Sequence, residues 1–135
     1  MRKNAREAVY KLLFSNLFND KFDDNFKNFI FDEEGLTQED KAFANELIDA
    51  FYANESDVNE IIANLSKGYK LERIYTTDKC AMQIAITEMT YLKSIPYIVS
   101  ISEAMELIRQ YSTEESPNFV NGILAEYKKR LESNE

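Results

Sequence analysis

The sequence predicts an all-α protein of about seven helices, on three observations. Apolar residues recur at i, i+3, i+4 and i+7 through most of the chain, and no stretch alternates at period two for long enough to suggest a sheet. Three Gly and two Pro punctuate 135 residues, too few for the tight turns of an all-β or α/β fold. The connections between periodic segments run mostly about 2–8 residues, as in helical bundles. A chain of this length buries most of its apolar groups around one core, so residues 1–135 are expected to form a single domain.

The first helix is predicted over residues 3–19, where Ala5, Ala8, Val9, Leu12, Leu13 and Leu17 make the inner stripe. Arg2, Arg6, Tyr10, Phe14 and Phe18 form a second stripe at i, i+4 spacing, basic at its start and aromatic at its end. That stripe suits a solvated cationic end followed by aromatics on a neighbouring helix. It equally suits a nucleic-acid contact passing into a protein contact.

Phe22, Phe26, Phe29 and Ile30 place a short second helix over roughly 22–31, and Gly35 belongs to the loop after it. Thr37 and Asp40 have capping-box spacing, with Asp in place of the usual Glu or Gln. Phe43, Leu47, Ile48 and Phe51 carry the third helix to about Tyr52. Asn54-Glu55-Ser56 is a break with a fresh N-cap. Val58, Ile61, Ile62 and Leu65 form the fourth helix, ended by Lys67-Gly68.

Residues 69–78 read as a basic, Tyr-containing connection. The next helix, from Ala81 to Leu92, is apolar nearly all round and belongs in the middle of the bundle. Gln83 and Glu88 interrupt it, and a buried Glu88 needs a partner. Pro96 stops that helix and prepares one over about 98–112.

The last helix runs from Ser116, a good N-cap, through Pro117 to about Arg130. Phe119, Val120, Ile123, Leu124, Tyr127 and Leu131 share its apolar stripe, and Gly122 lies within it. Gly weakens a helix interior by about 1 kcal/mol relative to Ala. Its presence points to close approach of another helix or of a ligand backbone. Asn121 beside it needs a polar partner.

Composition removes most chemistry. The chain has no His, so His-based triads and the usual metal ligands are absent, and one Cys makes neither a disulfide nor a thiolate zinc site. No phosphate-cradling Gly-rich loop occurs. Paired acids such as Asp23-Asp24 and Glu114-Glu115 are what 24 acidic residues produce by chance. Cys80 is best read as a small core residue. No enzyme, metal or cofactor is expected. No apolar run approaches the roughly 20 residues of a membrane span, and no signal peptide is evident. A reducing, cytoplasmic setting fits best.

The net charge of −8 argues against nucleic acid, but its distribution matters more than its sum. Residues 20–60 hold thirteen acids against three lysines. Two basic islands remain: Arg2, Lys3, Arg6 and Lys11, and Lys67, Lys70, Arg73 and Lys79.

Four segments together resemble the NusB family of transcription antitermination factors. Arg2-Lys3-Asn4-Ala5-Arg6-Glu7-Ala8 is similar to the family's R-x-A-R-E entry. Residues from Asp78 to Met89 resemble its acidic-x-x-I-L-R-x-A-x-x-E-L helix. Residues from Pro96 to Leu107 match P-x-x-V-x-I-N-E-A-x-E-L, with Ser102 at the Asn position. Phe119-Val120-Asn121-Gly122-Ile123-Leu124 matches F-V-N-G-x-L.

The resemblance implies two small helical bundles set against each other. It implies binding of boxA-type single-stranded RNA of ribosomal RNA leaders together with ribosomal protein NusE, in an RNA polymerase antitermination complex. Carried over by position, the RNA side is Arg2, Lys3, Arg6, Lys79, Gln83, Asn118 and Phe119. The partner side is Phe14, Phe18 and Asp78, with Tyr10 on the same aromatic stripe. These groups are expected to gather at one edge of an otherwise acidic body. With few cations present, RNA affinity is expected to depend on NusE. A protein-only adaptor of the same fold is the alternative, and the RNA-binding domain of a larger RNA methyltransferase ranks below it. Tyr10, Phe14 and Phe18 suit a homodimer as well as a partner. Nothing in the sequence implies a membrane partner.

Overall fold

The computed structural model describes residues 2–16, 23–66 and 71–134. Seven α-helices follow in order: α1 (Arg2–Ser15), α2 (Asp24–Glu33), α3 (Gln38–Ala53), α4 (Glu55–Leu65), α5 (Thr76–Tyr91), α6 (Tyr97–Tyr111) and α7 (Ser116–Ser133). One 3-10 turn, Leu71–Arg73, precedes α5, and no strand occurs among the described residues. The predicted Lys67-Gly68 helix end and the aromatics Phe18 and Phe22 lie outside the described residues.

Local chemistry sets the boundaries. Asp23 caps α2 by accepting the Asn25 N–H at 2.9 Å. Glu34 and Gly35 end it: the Gly35 N–H donates to the Asp32 carbonyl and the Leu36 N–H to the Phe31 carbonyl. That is the paired bonding of a Schellman end, and it needs the left-handed φ of +65° that Gly35 supplies. The capping box of α3 forms as read. The Asp40 N–H donates to the Thr37 hydroxyl at 3.1 Å and the Thr37 N–H to the Asp40 carboxylate at 3.3 Å.

Helix α5 is the axis of the molecule and packs against α1, α3, α4, α6 and α7. It starts at Thr76, earlier than its apolar run suggested, and Cys80 to Met89 are buried without interruption. A sequence apolar on all sides requires such a position. Helices α1–α3 lie to one side and α4, α6 and α7 to the other, as two bundles sharing α5.

Side-chain contacts fix the directions. Arg6 meets Glu88, and Tyr10 meets the Thr77 carbonyl, so α1 runs antiparallel to α5. Ser116 meets Asp78, and Tyr127 meets Thr90, so α7 runs parallel to α5. The α5 N-terminus therefore neighbours the end of α1 and the start of α7. Its C-terminus neighbours the start of α1.

Three expectations for α7 are corrected. Glu115 occupies the N-cap, and Ser116 is already helical. The Ser116 hydroxyl donates to Asp78 at 2.9 Å instead of capping its own helix. Gly122 is exposed, and a Cβ built there meets nothing within 4 Å, so no helix approaches it. Asn121 is exposed too, so it needs no buried polar partner.

Candidate nucleic-acid interface

The basic stripe of α1 divides into an outer and an inner part. Arg2 and Lys3 are exposed, with the Arg2 guanidinium lying 4.5 Å over the Phe43 ring. Arg6 is turned inward, only 4% exposed. Its Nε donates to Glu88 Oε2 at 2.7 Å and its Nη2 to Oε1 at 2.8 Å. Ser100 Oγ donates to the same Oε1 at 2.8 Å. This bidentate pair answers the demand of Glu88, which is fully buried, and bolts α1, α5 and α6 together. The expectation that Arg6 faces RNA is corrected on that ground, since its guanidinium is buried and its Nε and Nη2 are taken up by Glu88.

Three further expected contacts are inside the protein. Gln83 is 7% exposed and donates to Asn59 of α4 at 2.9 Å. Tyr10 is 3% exposed, and its hydroxyl donates to the Thr77 carbonyl at 3.0 Å. Burial pushes its phenol above the usual tyrosine range, with Cys80 and Asp78 nearby adding to the shift. Its ring lies 5.3 Å from that of Tyr111.

Asp78, 2% exposed, holds the corner of α5, α6 and α7. Its Oδ1 accepts from Ser112 at 2.6 Å and its Oδ2 from Ser116 at 2.9 Å. Thr77 and Thr113 extend this hydroxyl network through Ser112 and Ser116. Asp78 and Ser116, both buried, position the surface above them. Burial pushes the Cys80 thiol up to about 12, as fits a core residue.

What does reach solvent is a cleft of about 370 Å³ over that corner, lined by Arg73, Ile74, Tyr75, Asp78, Thr113, Glu115, Ser116 and Phe119. Tyr75 is 62% exposed, and Phe119 is half-buried on the first turn of α7. Asn118 is exposed beside Phe119, and half-buried Lys79 lies on the first turn of α5. Gly122 follows Asn118 and Phe119 at i+4 and i+3, on the same side of α7. The combination offers flat rings for stacking, Arg73 and Lys79 for phosphate and the Asn118 amide for base edges, with exposed Glu115 as an acid in the same lining. Arg73 and Tyr75 were missed in the sequence because they stand in a connection without periodicity. Their alternation of basic and aromatic residues was the available signal.

The expected groups do not meet at one edge. Arg2 and Lys3 stand at the C-terminal end of α5, with exposed Lys93 in the turn beyond it. Phe119, Asn118, Lys79, Arg73 and Tyr75 stand at its N-terminal end, about 20 Å away at 1.5 Å per helical residue. Phe14, 43% exposed, lies one turn past Tyr10 at this second end. Among the described residues no cluster of His, Cys, Asp or Glu is arranged to hold a metal ion, and no helix is long and apolar enough to cross a membrane.

Comparison with known proteins gives a consistent result. The NusB family pattern matches residues 3–129. A transcription antitermination protein NusB from Alkaliphilus oremlandii is 37% identical over 127 residues, covering 93% of this chain and 91% of its own. A solved structure of T. maritima NusB superposes with a TM-score of 0.84 at 31% identity, covering 96% of this chain and 91% of that one. The fold is also shared, with a TM-score of 0.85 at 20% identity and 96% coverage of both chains, by a chain in a crystal structure of the antitermination factors NusB and NusE with double-stranded RNA.

Proposed function

Because this chain belongs to the NusB family, we propose that it is a transcription antitermination factor that binds boxA-type RNA of ribosomal RNA leaders jointly with ribosomal protein NusE. In the RNA polymerase complex it suppresses premature termination. It acts by binding, as one domain over residues 1–135, in the cytoplasm. The related NusB–NusE–RNA structure supports both partners, and the buried thiol of Cys80 suits a reducing setting.

The observation that carries the reading is the cleft at the joined N-termini of α5 and α7. Tyr75 and Phe119 stack splayed bases there, while Arg73 in the cleft and Lys79 on the adjacent first turn of α5 attract phosphates. Asn118 offers donors and acceptors to base edges, and the bare backbone at Gly122 lets the RNA chain approach closely. The positive end of the α7 dipole adds a favourable field for phosphate. Arg2 and Lys3 meet the strand further along the bundle. Phe14 belongs to the NusE side, beside but not within the cleft. Arg6, Gln83, Tyr10 and Asp78 hold these surfaces in place from inside.

Burial of Arg6 and Gln83 favours the second reading, a protein-only adaptor of the same fold. Cross-linking separates the two. A boxA RNA carrying 4-thiouridine, irradiated with the protein and NusE, is expected to give adducts in the peptides holding Tyr75 and Phe119. Adducts confined to α2 and α3, or none at all, would overturn the RNA assignment and leave the adaptor.

A further inference from the structure

The outward face of α2 carries two phenylalanines for which the antitermination reading has no use. Phe26 is 39% and Phe29 56% exposed, three residues apart and so on one side of the helix. Glu33, also exposed, continues the stripe seven residues after Phe26. The inner side of α2 is already engaged. Phe31 is in the core, and Glu34 pairs with Lys11 while its carbonyl accepts from Asn4 of α1. Lys27 donates to Asn45 of α3 at 3.0 Å. The two exposed rings are therefore not the margin of the core but a separate apolar face.

The surroundings of that face select its occupant. Asp23 and Asp24 flank it at one end and Asp32 and Glu33 at the other, all exposed, and Glu46 and Asp49 are exposed on neighbouring α3. Lys27 lies 4.0 Å from Asp24 and Lys41 3.7 Å from Asp32, which leaves the rim net negative. Nucleic acid and anionic membrane are repelled by such a rim. A second copy docking α2 to α2 would set acid against acid.

We propose that this face docks a cationic amphipathic helix of another protein, with Phe26 and Phe29 seated between its large apolar side chains and its Lys and Arg over Asp23, Asp24, Asp32 and Glu33. Two rings at i, i+3 are the spacing that a helix laid alongside α2 can engage, and each buries a large area when covered. The rim charges steer the approach and the rings hold the complex. This surface is separate from the NusE side. Phe14 shares a side of α1 with Glu7 and Tyr10, seven and four residues before it, and those two residues contact α6.

The test uses the full chain and two labelled peptides, a helical 21-mer of Leu and Lys at heptad spacing and its twin with Glu for Lys, followed by fluorescence anisotropy. The Leu/Lys peptide is expected to bind, more weakly as salt rises, and the F26S/F29S variant to lose about tenfold or more in affinity. The Glu peptide is expected not to bind. Both rings are exposed, so the variant should keep its melting temperature and its NusE binding. Equal binding of the Leu/Lys peptide by wild type and F26S/F29S would overturn the proposal, as would equal binding of the two peptides. So would sedimentation showing a wild-type dimer that F26S/F29S dissolves, since the occupant would then be a second copy.

Discussion

Separating Arg6 from Arg2 and Lys3 is the sharpest consequence of the structure, and it has a measurable size. Arg6→Ala removes both bonds to Glu88 and leaves a fully buried carboxylate with only Ser100 as donor. Deleting one member of a buried pair typically costs about 3–5 kcal/mol, because the survivor keeps its desolvation penalty and loses its compensation. Glu88→Ala strands the guanidinium in the same way, and Arg6→Lys does not rescue, since an ammonium cannot make the bidentate contact. At a urea m-value of about 1–3 kcal/mol/M, a loss of that size lowers the midpoint by about 1 M or more.

The R6M/E88L double variant distinguishes an ion pair from mere bulk. Replacing both charges with apolar groups of similar volume is often neutral or stabilising by about 1–4 kcal/mol, so the double variant should recover much of the single-variant loss. Urea unfolding of wild type, R6A, E88A and R6M/E88L, followed by circular dichroism, makes the comparison. If R6A left the unfolding free energy within about 0.5 kcal/mol of wild type yet abolished RNA binding, Arg6 would be an RNA contact and its pairing with Glu88 would not hold in solution.

Three other outcomes follow. Gly122→Ala should raise stability by about 0.5–1 kcal/mol in a thermal melt, because the site is helical, open and without a Cβ contact; the same variant should bind boxA RNA more weakly, and unchanged binding would remove Gly122 from the interface. Arg2→Ala with Lys3→Ala should leave the melting temperature nearly unchanged while the slope of log affinity against log salt falls by about 1.4, at roughly 0.7 per cation on a single strand. Cys80 should react slowly with a disulfide reagent at pH 8 in the native protein and fully in urea. Its folded pKa of about 12 lies above the ordinary 9.0, so its contribution to stability is full below pH 9 and declines as pH rises from 9 toward 12.

The fold was legible because periodicity and capping are local. The Thr37–Asp40 box, the all-round apolar α5 and the demand of Glu88 for a partner can each be read within a dozen residues. The partner itself cannot: Arg6 lies 82 positions away, and nothing local marks it as inward and Arg2 as outward. Both sit on the same i, i+4 stripe, and only the approach of α5 tells them apart. Gly122 was misread for a related reason. A glycine near an apolar stripe can mark close approach of a helix or of a ligand, and the open space around Gly122 removes the helix. Ser116 has cap chemistry, but a buried acid on another helix claims its hydroxyl. Phe26 and Phe29 match the apolar template of a helix and still face outward, because α2 covers only one side of α1 and α3.

Joint capture of RNA with NusE is tested most directly by filter binding of a boxA RNA across a salt series, with and without NusE. Among the described residues the proposed interface offers four cations, Arg2, Lys3, Arg73 and Lys79, so the salt slope of the protein alone should be no steeper than about −3. Adding NusE should tighten binding at every salt concentration and steepen the slope, as a second set of cations joins the same RNA. Identical affinity and slope in the two arms would contradict joint binding. It would show that this acidic chain either holds the transcript unaided or does not hold it at all.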